Sequence, residues 1–132
     1  MRYPKFVVSL FCLALAAPLL SDAQQPGGLK RTILQRADLS VPGREVIMAL
    51  AELPVGAVAG RHTHFGEEIS YVLEGTTLLL IDGQPPREVK AGESFVVPAG
   101  MVHDAKVVGD KPGKVLATYI VEKGKPLATP AP

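Results

Sequence analysis

The sequence predicts an all-β fold, and three observations carry that prediction. Its 132 residues include 13 glycines and 12 prolines, spaced closely between short apolar runs in the manner of strands and turns. No window of a dozen residues keeps a 3.6-residue apolar period while avoiding both residue types. The runs number about nine and carry apolar side chains on both faces, so they must close on themselves or pack as two sheets.

The first strand is expected at 29–35, and Pro42-Gly43 breaks the chain before the next, at 46–53. The stretch 44–53 is also the best site for a helix, because its alanines and Met48 favour one. Strands follow at 58–64, 68–73 and 76–81, with Glu74-Gly75 and Asp82-Gly83 as turns; the second is a strong hairpin signal. Shorter strands are expected at 87–89 and 94–97 around Ala91-Gly92. Two more, at 103–108 and 114–121, flank Asp110 and Pro112-Gly113. Glycine accepts positive φ and proline fixes φ while removing a donor, which is why these pairs end strands. The runs 76–81 and 94–97 alternate poorly, as expected of strands covered by the barrel interior on one side and by a second sheet or a partner subunit on the other.

The ends read differently. Arg2 and Lys5 precede an apolar run over 6–20, and Ser21-Asp22-Ala23 offers a cleavage frame. Residues 1–23 are thus expected to be a secretory signal, giving a periplasmic or secreted chain that begins at Gln24. A membrane anchor fits less well, since the run falls short of the roughly 18–20 residues of a span and Pro18 interrupts it. Cys12, the sole cysteine, lies in this run, so the mature chain is expected to use neither disulfides nor thiolates. Residues 24–28 read as a flexible arm, 29–123 as one domain and 124–132 as an irregular tail.

Without the signal, twelve positive charges face twelve negative ones. Lys30-Arg31 with Arg36 reads as a solvated strand face. Together with the absence of tryptophan, that gives nucleic acid neither a basic stripe nor a stacking platform.

All three histidines fall in one pattern. His62 and His64 are two apart, so on a strand both imidazoles face one side while Thr63 faces the other. Glu68 opens the next strand, with Ser70 and Val72 sharing its inward face and Ile69, Tyr71 and Leu73 facing out. His103 arrives from a distant strand after the rigid turn Pro98-Ala99-Gly100. Glu67 has the opposite parity, facing solvent or Arg61, although the turn at 65–67 decides between the two glutamates. Three imidazoles and a carboxylate suit one divalent transition ion (iron, manganese, nickel, copper, cobalt or zinc), whereas calcium asks for more oxygens.

These blocks, GAVAGRHTHFGEEISYVLEG over 56–75 and GESFVVPAGMVHDAKV over 92–107, resemble the paired motifs of the cupin superfamily. The first matches at every defining position. The second departs at its last, where the family often has asparagine and this chain has Val107. The resemblance implies a double-stranded β-helix, a jelly-roll barrel, with His62, His64, Glu68 and His103 as metal ligands. It also implies a homodimer, for which the segment 29–39 would cover an edge.

Within that family the chain is similar to the quercetin-dioxygenase-like members. The resemblance therefore implies an oxidoreductase acting on a small oxygen-chelating organic substrate, with Glu68 as both ligand and proton carrier. With every histidine committed, none is left as the free base that sugar-nucleotide epimerases of this fold use. An isomerase or decarboxylase is the close alternative among enzymes, and a non-catalytic exported protein binding a metal or small ligand is the rival from another class. The inward positions, Gly60, Ser70, Val72 and alternate members of 76–81 and 114–121, are small or apolar. No lysine or arginine is expected to aim at the site, and Tyr71 and Tyr119 read as packing residues. Phe65 or Met101 is the expected gate, and the 24–28 arm a possible plug.

Overall fold

The computed structural model describes residues 28–132, and the expected signal, with Cys12, and nearly all of the arm lie outside the described residues. Ten strands form the domain: β1 (Lys30–Asp38), β2 (Arg44–Leu53), β3 (His62–Thr63), β4 (Gly66–Glu74), β5 (Thr76–Ile81), β6 (Arg87–Lys90), β7 (Ser94–Val97), β8 (His103–Val108), β9 (Gly113–Glu122) and β10 (Thr129–Pro130). They make two five-stranded sheets, in the orders β1-β2-β9-β4-β7 and β10-β3-β8-β5-β6, with every pairing antiparallel. This is the all-β jelly roll that the spacing and the motif resemblance predicted.

The helical alternative at 44–53 gives way to β2, whose side chains alternate strictly between buried and half-buried. β9 does the same alongside it as far as Val121, in register from Arg44↔Glu122 to Leu53↔Gly113. Alternation wins because a period of two places Ile47, Ala49, Ala51 and Leu53 on one face with Val115, Ala117, Tyr119 and Val121, whereas a helix would scatter them. The register partners Ala49 and Ala117 are small, leaving room beside them for the buried ring of Tyr119.

The run 94–97 leaves Val96 56% exposed on its outer face, the side expected to meet a second sheet or a partner subunit. Two expectations are corrected. The strand at 58–64 shrinks to His62–Thr63, with Val58 making only an isolated bridge to Lys106. The tail 124–132 is not irregular throughout: β10 pairs with β3 through Thr129↔Thr63 and Pro130↔His62, and Leu127 packs on Ile47, Tyr119 and Val121.

Gly66 sets how closely β4 approaches β9. A methyl group there would run into the carbonyl of Ile120, its near neighbour across the strand pair. Its φ is not positive, so the demand is steric alone. Gly75, at φ +76°, meets both demands, since a methyl would strike the Pro112 carbonyl. These two glycines hold the strand that carries Glu68 tight against its neighbour.

Candidate metal centre

The cluster is built across the gap between the sheets. His62 on β3 and His103 on β8 are direct register partners in one sheet. Glu68 on β4 belongs to the other sheet, where it sits opposite Val97 and Tyr119. His64 occupies the short connection between β3 and β4. One ligand-type atom from each of the four residues lies within 4.8 Å of all the others. The imidazole centroids are 4.2 to 5.0 Å apart. Parity put Ser70 and Val72 inward and Ile69, Tyr71 and Leu73 outward, and burial agrees at all five.

Each imidazole is oriented by a backbone carbonyl. The Nδ1 atoms of His62, His64 and His103 lie 2.6, 2.5 and 3.0 Å from the carbonyl oxygens of Gly60, Leu127 and Met101. A carbonyl only accepts, so each Nδ1 carries the hydrogen and each Nε2 is the free partner. The anchors are themselves held. Asp104 accepts from the Gly60 amide at 2.9 Å, the His64 carbonyl accepts from the Gly100 amide at 3.1 Å, and Pro98 closes its turn on the Met101 amide. Glu68 is fixed from both sides: Ser70 Oγ donates to Oε1 at 2.6 Å, while Oε2 lies 3.0 Å from His64 Nε2 and 3.3 Å from His103 Nε2.

This geometry fits a cation. Neutral Nε2 lone pairs and a carboxylate oxygen converge on one point, an arrangement that needs a proton or a positive ion between them. Metal-free, the cluster recruits protons. Burial works against a charged His103, but its bonds to Glu68 and Met101 outweigh this and raise its pKa above 6.5. Burial likewise opposes ionisation of Glu68, yet the hydrogen bonds from His103, His64 and Ser70 hold its pKa below the usual carboxylate range. His62 goes the other way, pushed down to about 4 chiefly by burial. Three carbonyl-locked imidazoles and one anchored carboxylate could therefore hold a divalent ion.

Glu67, the competing carboxylate, takes no part. It is half-buried on β4 opposite Ile120, and Arg61 instead grips Asp82 through bonds of 2.8 and 2.9 Å. Beside the cluster lies a small cavity of about 40 Å³, room for roughly three waters. It is lined by His62, Glu68 and His103 together with apolar Leu79, Phe95 and Val115. Val107, standing where the motif often has asparagine, is 1% exposed and adds to this apolar wall.

Sequence reasoning missed two contributors. The sequence assigns Arg31 to a solvated face and aims no arginine at the site, yet Arg31 lines this cavity, its guanidinium carbon 5.9 Å from the centroid of the Tyr119 ring. The available signal was parity, because Arg31 lies two residues from the buried Leu29. The second is the Leu127 carbonyl, for which no local signal exists. Tyr119 does pack as expected, its ring 4.7 Å from that of His64, and it also lines the cavity.

The sequence model of the cupin domain matches residues 49–119, more than half the chain and all four clustered residues. The chain belongs to the cupin superfamily. Among curated proteins, this cupin is 37% identical over 70 residues to an uncharacterised protein of Methanocaldococcus jannaschii, a match covering 52% of this chain and 55% of that protein. The cupin thus spans about half the length of this relative. Among solved structures, it resembles an RmlC-like cupin from Shewanella frigidimarina with a TM-score of 0.58 and 28% identity, covering 74% of this chain and 80% of that one. A cupin-like protein from Thermotoga maritima gives a TM-score of 0.62 at 22% identity, covering 80% and 77%. At that identity the likeness speaks for the fold alone. No helix among the described residues is long and apolar enough to cross a membrane.

Proposed function

We propose that this cupin is a metal-dependent oxidoreductase, dioxygenase-like, acting on a small organic molecule that chelates the metal through oxygen. The observation that carries the reading is the convergence of four ligand-type atoms within 4.8 Å at the wall of a mostly apolar cavity. His62, His64, Glu68 and His103 would hold one divalent transition ion. That ion would supply Lewis acidity and redox chemistry toward a chelated oxygen donor. The protein's own part is orientation and proton handling. Carbonyl locks keep the imidazoles aimed at one point, and Glu68 presents one oxygen to the cluster while Ser70 restrains the other. The apolar lining excludes bulk water, and the size of the cavity favours compact substrates over extended ring systems.

The chain is read as exported, on its charged start and the apolar run over 6–20. Homodimer formation is supported by the outward cluster of Ile69, Tyr71, Leu73 and Val96, each at least 42% exposed. Light scattering tests the second point, and N-terminal sequencing of the exported protein the first.

The deciding experiment produces the chain from Gln24 without a histidine tag, measures its bound metal, and follows oxygen uptake with catechols, flavonols and small diketones. Stoichiometric iron, manganese, nickel or copper with uptake supports the dioxygenase. Metal-dependent turnover without oxygen uptake points to an isomerase or decarboxylase. Tight zinc without turnover points to a non-catalytic metal- or ligand-binding protein.

A further inference from the structure

Two polar groups in the cavity have work left to do. Arg31 Nε and Thr77 Oγ1 are both buried and have no hydrogen-bond partner among the described residues. They come from different sheets, Arg31 from β1 and Thr77 from β5, yet both line the cavity that His62, Glu68 and His103 bound. Thr77 is 2% exposed. Buried donors left unpaired are rare in folded proteins and call for a missing partner.

The positive charge narrows the choice of partner. A guanidinium beside the aromatic face of Tyr119 is weakly hydrated and offers a planar fork matched to carboxylate geometry. Away from the histidine–glutamate cluster, Leu53, Leu79, Phe95, Val107 and Val115 offer an anion nothing but apolar contact. Glu68 does not neutralise Arg31: its hydrogen bonds run to Ser70, His64 and His103.

We infer that the cavity recognises a small carboxylate, whose anionic end is bound by Arg31 Nε–H and the Thr77 hydroxyl while its apolar body fills the space toward the histidine–glutamate cluster. This names the substrate class for the proposed function and rests on reading the cavity as that site. The binding pair itself does not depend on a metal being present.

The test is a titration of metal-free full-length protein, followed by ¹H–¹⁵N NMR, with propanoate and with its neutral isostere propanamide. The Arg31 Nε–H resonance is assigned by its disappearance in Arg31→Lys. Propanoate is expected to bind at least about tenfold more tightly than propanamide and to shift the Arg31 Nε–H signal. Arg31→Met should abolish that preference and Thr77→Val should weaken it. Equal binding of acid and amide by the wild type, a stationary Arg31 signal during propanoate binding, or an intact preference in Arg31→Met each overturns the inference. Should Arg31→Met fail to fold, the wild-type comparison and Thr77→Val still decide. Metal affinity of the wild type and of Thr77→Val, titrated separately with a chromophoric chelator, reads the cluster alone, so loss of metal binding and loss of carboxylate binding are separately visible.

Discussion

Ser70 shows at the residue scale how an outer contact shapes the centre. Its hydroxyl holds Glu68 Oε1 at 2.6 Å and leaves Oε2 facing the histidines. Ser70→Ala is therefore expected to weaken metal affinity about 10- to 100-fold, the usual effect of losing such a support. Glu68→Ala and His103→Ala should each lower it further, as competition titrations with a chromophoric chelator would measure. The metal-free protein should also show a pH optimum of stability. His62 is held near 4 against an ordinary 6.5, so the unfolded chain takes up the proton first and stability falls as pH drops from about 6.5 toward 4. His103 is raised, so its contribution is complete below about 6.5 and disappears as pH rises through its folded value. Urea melts across pH should crest near 6.5. His62→Ala should flatten the acid limb and His103→Ala the alkaline one.

Elements explain why some of the site was legible and some was not. The four clustered residues could be read because two-residue parity and motif spacing act over short stretches of chain, and β3, β4 and β8 obey them. Arg31 obeys the same parity through Leu29, but β1 carries a register irregularity between Ile33 and Gln35 and its outer face is largely exposed. Nothing in its immediate neighbours distinguishes an inward arginine from a solvated one. The Leu127 carbonyl was beyond reach for a different reason: a backbone oxygen has no residue-type signature, and its partner is 63 positions away. Two changes test this level. Gly66→Ala forces β4 away from the Ile120 carbonyl and should cost at least about 1–3 kcal/mol, the ordinary range for overpacking, measured by urea unfolding. Deleting 124–132 removes both β10 and the carbonyl that aims His64. It should lower metal affinity by about 10- to 100-fold while near-native strand content remains by circular dichroism.

Across the whole molecule, the clustered residues add a polar tie between two sheets whose shared core is apolar. A metal bound there stabilises only the folded state. At one hundred times its dissociation constant it should add about 2.7 kcal/mol, equivalent to roughly 10 °C or more in melting midpoint for a domain of this size. Differential scanning calorimetry with and without a chelator checks this. A shift far smaller than expected would mean that the cluster is not a metal centre.

The sheet order carries one more implication, for biogenesis. β9 is the sole bridge between β2 and β4 in its sheet, and it is translated after all three histidines and Glu68. Until residues 113–122 leave the ribosome, the strand bearing the carboxylate has no neighbour on that side, and the carbonyl that aims His64 arrives later still. Metal uptake at this cluster would thus follow the synthesis of residues 113–127, and the nascent chain would present separate imidazoles rather than a finished receptacle.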